Sequence, residues 1–107
     1  MKVKMAELSV ICPKFEETFS FLGKKWMGLI IDVLLDGPKR FKDLAESIPN
    51  VSDRVLVERL KELEERELVD RTVYPETPVR VEYSLTEKGR DLEKAMGEVK
   101  TWGEKWL

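Results

Sequence analysis

Between Ile48 and Val69 the apolar residues keep helical time: Leu56, Leu60 and Leu63 fall at i, i+4 and i+7. Arg54, Val57, Glu58, Lys61 and Glu65 fall on roughly the opposite side. Ser52 is a good N-cap, because its hydroxyl can accept from an otherwise unpaired backbone N–H of the first turn, and Pro49 and Asn50 discourage an earlier start. The pattern predicts a helix beginning at Ser52, with one face packed and the other free to read a ligand.

Upstream, Cys12-Pro13 predicts a helix start, with proline at the first helical position and the thiol beside the free N–H groups of that end. Phe15, Phe19 and Leu22 give this helix an apolar face, and Gly23 ends it. A second helix, from about Lys25 to Asp36, carries Trp26, Met27, Leu29, Ile30, Ile31, Val33, Leu34 and Leu35 on nearly all sides, so it belongs in the middle of the core. Asp36-Gly37-Pro38 is a turn, after which Phe41, Leu44, Ala45 and Ile48 sketch a short helix starting near Arg40 or Phe41. Three residues separate Ile48 from Ser52, so two helices meet at a tight corner, the geometry of a helix-turn-helix. Residues 1–11 alternate briefly at Val3 and Met5, which fits either a short strand or a mobile arm; the folded domain is expected over residues 12–107.

Downstream, Leu68 to Tyr74 and Val79 to Leu85 read as two β-rich runs joined by Pro75-Glu76-Thr77-Pro78, a longer tip than a two-residue turn would make. Thr86 then caps a last helix, along which Leu92, Ala95, Val99, Trp102 and Trp106 are spaced 3, 4, 3 and 4 apart. A seam ending in two tryptophans is hard to bury within one small copy, which predicts a two-fold dimer built on the last helix and on the Phe15, Phe19 face of the first. The expected fold is mainly α with a small antiparallel β wing, a winged helix-turn-helix dimerising through its N- and C-terminal helices.

At 107 residues the chain has room for one core, and 42% apolar content fits a soluble globular domain. The longest apolar run, around Leu29 to Leu35, is broken by Asp32 and is too short to span a bilayer, and no cleavable signal pattern opens the chain. No membrane association and a cytoplasmic location are the expectations. A solitary cysteine cannot close an internal disulfide, and without histidine a zinc site would need carboxylates and one thiol, so neither metal nor cofactor is expected. The net charge of −2 argues against a uniformly basic nucleic-acid binder, but the distribution matters more than the total. Lys39, Arg40, Lys42, Arg54, Arg59 and Lys61 outweigh Asp43, Glu46, Asp53 and Glu58 where the exposed helix begins. With 37% charged residues, one asparagine and no glutamine, the composition leans toward a heat-adapted source.

CPKFEETFSFLGKKW, LLDGPKRFKDLAESIPNVSDRVLVERLKELEERELV and YPETPVRVEYSLTEKGRDL resemble the HxlR-type family of bacterial and archaeal transcriptional regulators, MarR-like winged-helix proteins, from residue 12 to about 103. The resemblance implies a homodimeric protein that binds double-stranded DNA at a promoter or operator, as repressor or activator. In several members a cysteine near the N-terminus answers oxidants or electrophiles. Two positions depart from the family: Lys24, and Glu67 at the end of the reading helix, both often glycine there. Glu67 must then either extend the helix or tolerate a left-handed backbone.

Carried onto this chain, the resemblance assigns Ser52, Asp53, Arg54, Val57, Glu58 and Lys61 to the major groove, with Arg54 the candidate for a guanine edge. Lys39, Arg40 and Lys42 are placed to hold the sugar-phosphate backbone, and Arg80 on the wing to reach phosphate or minor groove. Cys12 is the candidate sensor, since a thiol at a helix N-terminus feels the macrodipole and Lys14 acts in the same direction; the plainer role is an apolar filler. An enzyme is not expected, for want of histidine, a glycine-rich phosphate loop or a base beside the cysteine. The rival to DNA binding is a winged helix used as a protein-interaction module. The operator and any small-molecule effector are not legible.

Overall fold

The computed structural model describes residues 12–107, and the strand-or-arm expectation for residues 1–11 lies outside the described residues. The elements follow as α1 (Pro13–Leu22), α2 (Met27–Leu35), β1 (Lys39–Arg40), α3 (Phe41–Ser47), α4 (Asp53–Glu65), β2 (Val69–Tyr74), β3 (Arg80–Leu85), α5 (Glu87–Arg90) and α6 (Glu93–Trp106). The three strands form one antiparallel sheet in the order β1-β3-β2. This is a winged helix-turn-helix: α3 and α4 form the corner, and β2 and β3 form the wing.

The core collects the apolar stripes of these elements on one another. Met27, Ile30, Ile31 and Leu34 of α2 are fully buried, as are Leu44 of α3 and Leu56 and Leu63 of α4, with Leu60 almost so. Val69 and Leu85, a directly paired residue couple, close the sheet end of the core. Burying a leucine or isoleucine contributes about 1.5–3 kcal/mol, so these aliphatic residues hold the corner together.

Several expected boundaries shift, each for a local reason. The second helix starts at Met27 rather than Lys25, because Trp26 sits in the left-handed region at φ 78° as its N-cap. It is not buried on all sides either: Leu29 faces outward while Gly28 meets Met96 of α6. From α1 the residue that enters the core is Phe21, whereas Phe15 and Phe19 stay exposed. Lys39 and Arg40 form an unforeseen short strand, paired with Tyr83 and Glu82. The closing helix is split. Thr86 caps α5 as expected, with its hydroxyl accepting from the Gly89 N–H at 3.1 Å, but the Leu92 N–H then bonds the Gly89 carbonyl in a tightened turn before α6 begins. Gly89 is pinned there, since a Cβ on it would stand 2.3 Å from the Leu68 carbonyl oxygen.

The end of α4 resolves the question posed by Glu67. Its backbone adopts φ 63°. The Leu68 N–H bonds the Leu63 carbonyl and the Glu67 N–H bonds the Glu64 carbonyl, both at 2.9 Å, the paired bonds of a Schellman motif. The helix therefore stops where a glycine would stop it, with a glutamate accepting the strain.

Candidate nucleic-acid interface

Ser52 delivers α4. Its hydroxyl accepts from the Val55 N–H at 3.2 Å, and the Leu56 N–H bonds the Ser52 carbonyl at 2.9 Å, so the first turn is fixed from both sides. Because Leu56, Leu60 and Leu63 point into the core, the residues between them are forced outward. Ser52, Asp53, Arg54, Val57, Glu58 and Lys61 are all exposed. The Arg54 side chain is 89% accessible, and its one contact is Glu58 at 3.7 Å, an exposed pair worth at most a few tenths of a kcal/mol. Its five donors stand ready for another acceptor. Val57 beside it supplies an apolar contact of the kind a thymine methyl accepts.

The cations at the start of α3 divide by their partners. Lys42 is exposed, and Arg40 is exposed with its backbone N–H donating to Asp43 at 3.4 Å. Lys39 is half-buried and bonds Asp36 at 3.1 Å. Because Arg40 is paired with Glu82, the cation before α3 and the middle of the wing share one sheet face.

Arg80 lies on the same sheet and is the most occupied of the predicted site residues. Its Nε and Nη2 donate to the two Glu76 oxygens at 3.2 and 2.8 Å, its Nη1 donates to Glu82 at 2.6 Å, and its guanidinium lies 3.9 Å from the Tyr74 ring centroid. The hydrogen bond from Arg80 holds the Glu76 carboxyl below the usual carboxylate range, and Glu76 followed by Glu82 holds Arg80 still more firmly protonated. Among the described residues no hydrogen bond or ion pair joins this wing cluster to the exposed side of α4.

A second group, missed in the sequence, anchors α4 from behind. Arg59 Nε donates to the Lys25 carbonyl at 3.0 Å, and Glu62 accepts from Lys24 at 2.8 Å and from Arg66 at 3.4 Å. Arg66 also reaches Glu17 of α1 at 3.4 Å and lies 4.4 Å from the Phe21 ring centroid. The i,i+4 spacing of Glu62 and Arg66 was the one available signal; their partners on α1 and on the turn after it lie far away in sequence.

Cys12 is exposed as the N-cap of α1, with Pro13 at the first helical position. Beyond it an apolar groove runs between α1 and α6, lined by Phe15, Phe19, Leu22, Ala95, Met96 and Val99. Ala95, Val99, Trp102 and Trp106 are exposed along α6, with Trp102 at 59% and Trp106 at 64%, whereas Leu92 packs against the core. Lys100 bonds Asp32 of α2 at 3.2 Å and fixes how α6 leaves the body. No helix among the described residues is long and apolar enough to cross a membrane.

Comparison with known proteins supplies the remaining identification. The HTH-type transcriptional regulator YodB of Bacillus subtilis is 55% identical over 98 residues, covering 92% of this chain and 88% of that protein. Its reduced form superposes with a TM-score of 0.82 at 55% identity, covering 92% of this chain and 96% of that one. Its quinone-bound form gives 0.79 at 51% identity, covering 90% and 100%. The redox regulator HypR in its oxidised form gives 0.84 at 42% identity, covering 90% and 98%. The model of the HxlR-like helix-turn-helix family matches residues 21–107, and the chain belongs to that family of transcriptional regulators.

Proposed function

We propose that the protein acts as a homodimer in which each copy lays the N-terminal half of α4 in a major groove of duplex DNA. Arg54 reads a guanine edge, Val57 and Lys61 flank it, and Ser52, Asp53 and Glu58 border the same strip. Arg40 and Lys42 hold the sugar-phosphate backbone, while Lys39, on the opposite sheet face and bonded to Asp36, supports the strand behind them, and Arg80 faces the backbone from the wing. The observation that carries the reading is the accessibility of Arg54, in the first turn of a capped helix whose other side is locked in the core. In this reading the protein works in the cytoplasm.

The dimer rests on exposed apolar area. Phe15, Phe19, Val99, Trp102 and Trp106 are each more than half accessible, which a small soluble domain sustains when a partner covers them. A two-fold pair facing successive major grooves would read half-sites about 34 to 36 Å apart. Cys12, exposed at the start of α1 beside that seam, is the sensor in this reading: oxidation or electrophile addition at its thiol alters the packing of α1 and so the relation between the two α4 helices. The reduced and quinone-bound forms in which YodB has been solved, and the oxidised form of HypR, support it.

The test is titration with duplex fragments from the protein's own promoter region, under reducing and oxidising conditions and at several salt concentrations. Arg54→Ala is expected to lose about 1–3 kcal/mol of binding and to relax specificity at one position. Unchanged binding by that variant, or affinity indifferent to salt, would leave the protein-interaction module as the better account. Light scattering that finds a monomer at micromolar concentration would remove the dimer, and a Cys12→Ser variant whose DNA binding still answers oxidants would remove the sensor.

A further inference from the structure

The wing of this chain carries its own competitor for DNA. An arginine offers a phosphate two bidentate edges, the side edge formed by Nε and Nη2 and the end edge formed by the two Nη atoms. In Arg80 the side edge is filled by both oxygens of Glu76, one nitrogen of the end edge is held by Glu82, and one guanidinium face stacks on Tyr74. The side edge is closed to a phosphate, and of the five N–H donors only one on each Nη is left. Arg40 pairs with Glu82 on the same sheet face, so Arg40, Arg80, Glu76 and Glu82 together are neutral and the closed wing offers a phosphate no net attraction.

The two carboxylates are not equally able to leave. Glu82 sits in the middle of β3, between Thr72 of β2 and Arg40 of β1, and its side chain is 21% accessible. Glu76 lies outside the strands, on the turn between Tyr74 and Arg80, and is 51% accessible. Moving it opens the whole side edge at once, while Tyr74 and Glu82 keep the guanidinium where it is. With Glu76 swung aside, Arg40, Arg80 and Glu82 are left on that part of the sheet face with a sum of +1.

We propose that Glu76 gates the wing: its carboxylate occupies the side edge of Arg80 in the free protein and must swing away before that edge can hold a phosphate, so that Glu76 sets both the affinity and the salt dependence of DNA binding. This rests on the DNA-binding reading above. The device lowers non-specific affinity, because every encounter with DNA must first break two charge-assisted hydrogen bonds, and full wing contact is reserved for sites where α4 is already seated.

The experiment measures binding of the full chain to a fluorescein-labelled mixed-sequence duplex of about 30 base pairs by anisotropy across a salt series, a length that spans two half-sites one turn apart. Glu76→Gln keeps an acceptor and removes the charge. It is expected to bind about fivefold tighter near 0.1 M salt, with the slope of log affinity against log salt steeper by about 0.9 per head, one further phosphate contact. The same substitution in an Arg80→Met background, and in an Arg80→Gln background should the first disturb the hairpin, is expected to lose that gain, because the gated group is gone. An equal gain in all backgrounds would mean that Glu76 merely repels DNA through space, and no gain in any would mean that it blocks nothing; either overturns the gate. Failure of the unmutated protein to bind the duplex even at low salt would overturn the DNA reading and the gate with it.

Discussion

The guanidinium of Arg66, at the end of α4, lies 4.4 Å from the ring of Phe21, the one residue of α1 that enters the core. The helix that presents Arg54 is thereby stacked on the helix that begins at Cys12. Glu17 and Glu62 hold the same guanidinium from either side. Arg66→Ala is expected to cost about 1 kcal/mol, from the lost cation–π contact and the lost packing of its stem, seen as a melting temperature lower by a few degrees. If Cys12 signals through α1, this variant should also narrow the difference in DNA affinity between reduced and oxidised protein.

Ser52 caps α4 through the Val55 N–H. Ser52→Ala should cost about 1 kcal/mol, and Ser52→Gly only a few tenths. Thermal melts and duplex binding of the two variants together separate the capping role from any contact the hydroxyl makes with DNA: the melts report the cap, and a DNA contact would be lost equally in both.

Glu67 holds a left-handed backbone at φ 63° in the Schellman turn. A non-glycine residue there carries about 1 kcal/mol of strain, so Glu67→Gly is expected to raise the melting temperature or leave it unchanged. Glu67→Val should lower it, because a β-branched residue fits that region worst. A stability loss in the glycine variant larger than in the valine variant would contradict the geometry.

Gly89 makes the opposite case. A Cβ at this position would stand 2.3 Å from the Leu68 carbonyl oxygen and 3.0 Å from Leu85. Gly89→Ala must push α5 off the wing and is expected to cost about 3 kcal/mol, measurable by urea unfolding.

The pair of Lys24 and Glu62 makes stability depend on acid. The hydrogen bond from Lys24 holds the Glu62 carboxyl below the usual range, outweighing the opposing effect of burial. A carboxyl depressed in the folded state contributes stability that is fully present above its unfolded value, about 4.3, and is lost as pH falls through the lower folded value. Melting temperature should therefore hold steady on this account from neutral pH down to roughly the unfolded value and fall below it, and Glu62→Gln should flatten that fall while lowering stability at neutral pH.

The corner was legible because everything that makes it is local: the Ser52 cap, the leucine stripe of α4 and the three residues after Ile48 all act within a few positions of one another. The wing and the closing helix announced themselves in the same way, through β-rich runs, prolines and the Thr86 cap. What stayed hidden depends on residues far apart in sequence. Nothing near Lys39 and Arg40 reveals a strand, because its partner is β3, and Phe21 looks no more apolar than Phe15 or Phe19 until α2 is laid against it. In the sequence Arg80 is only a cation on a wing, yet its meaning comes from Glu76, Glu82 and Tyr74 closing around it. The split between α5 and α6 likewise follows from Gly89 meeting Leu68 across the domain, a contact no helical periodicity encodes.

Trp26 packs on the core just after α1, and Trp102 and Trp106 stand exposed on α6, so no indole lies on α3, on α4 or on the wing. If copies pair through α6 as proposed, the chain carries its own optical gauge of that pairing, away from the proposed DNA-contacting elements. On dilution, a red shift of the native emission would report the parting of copies at α6 directly, with no dye attached and no operator known.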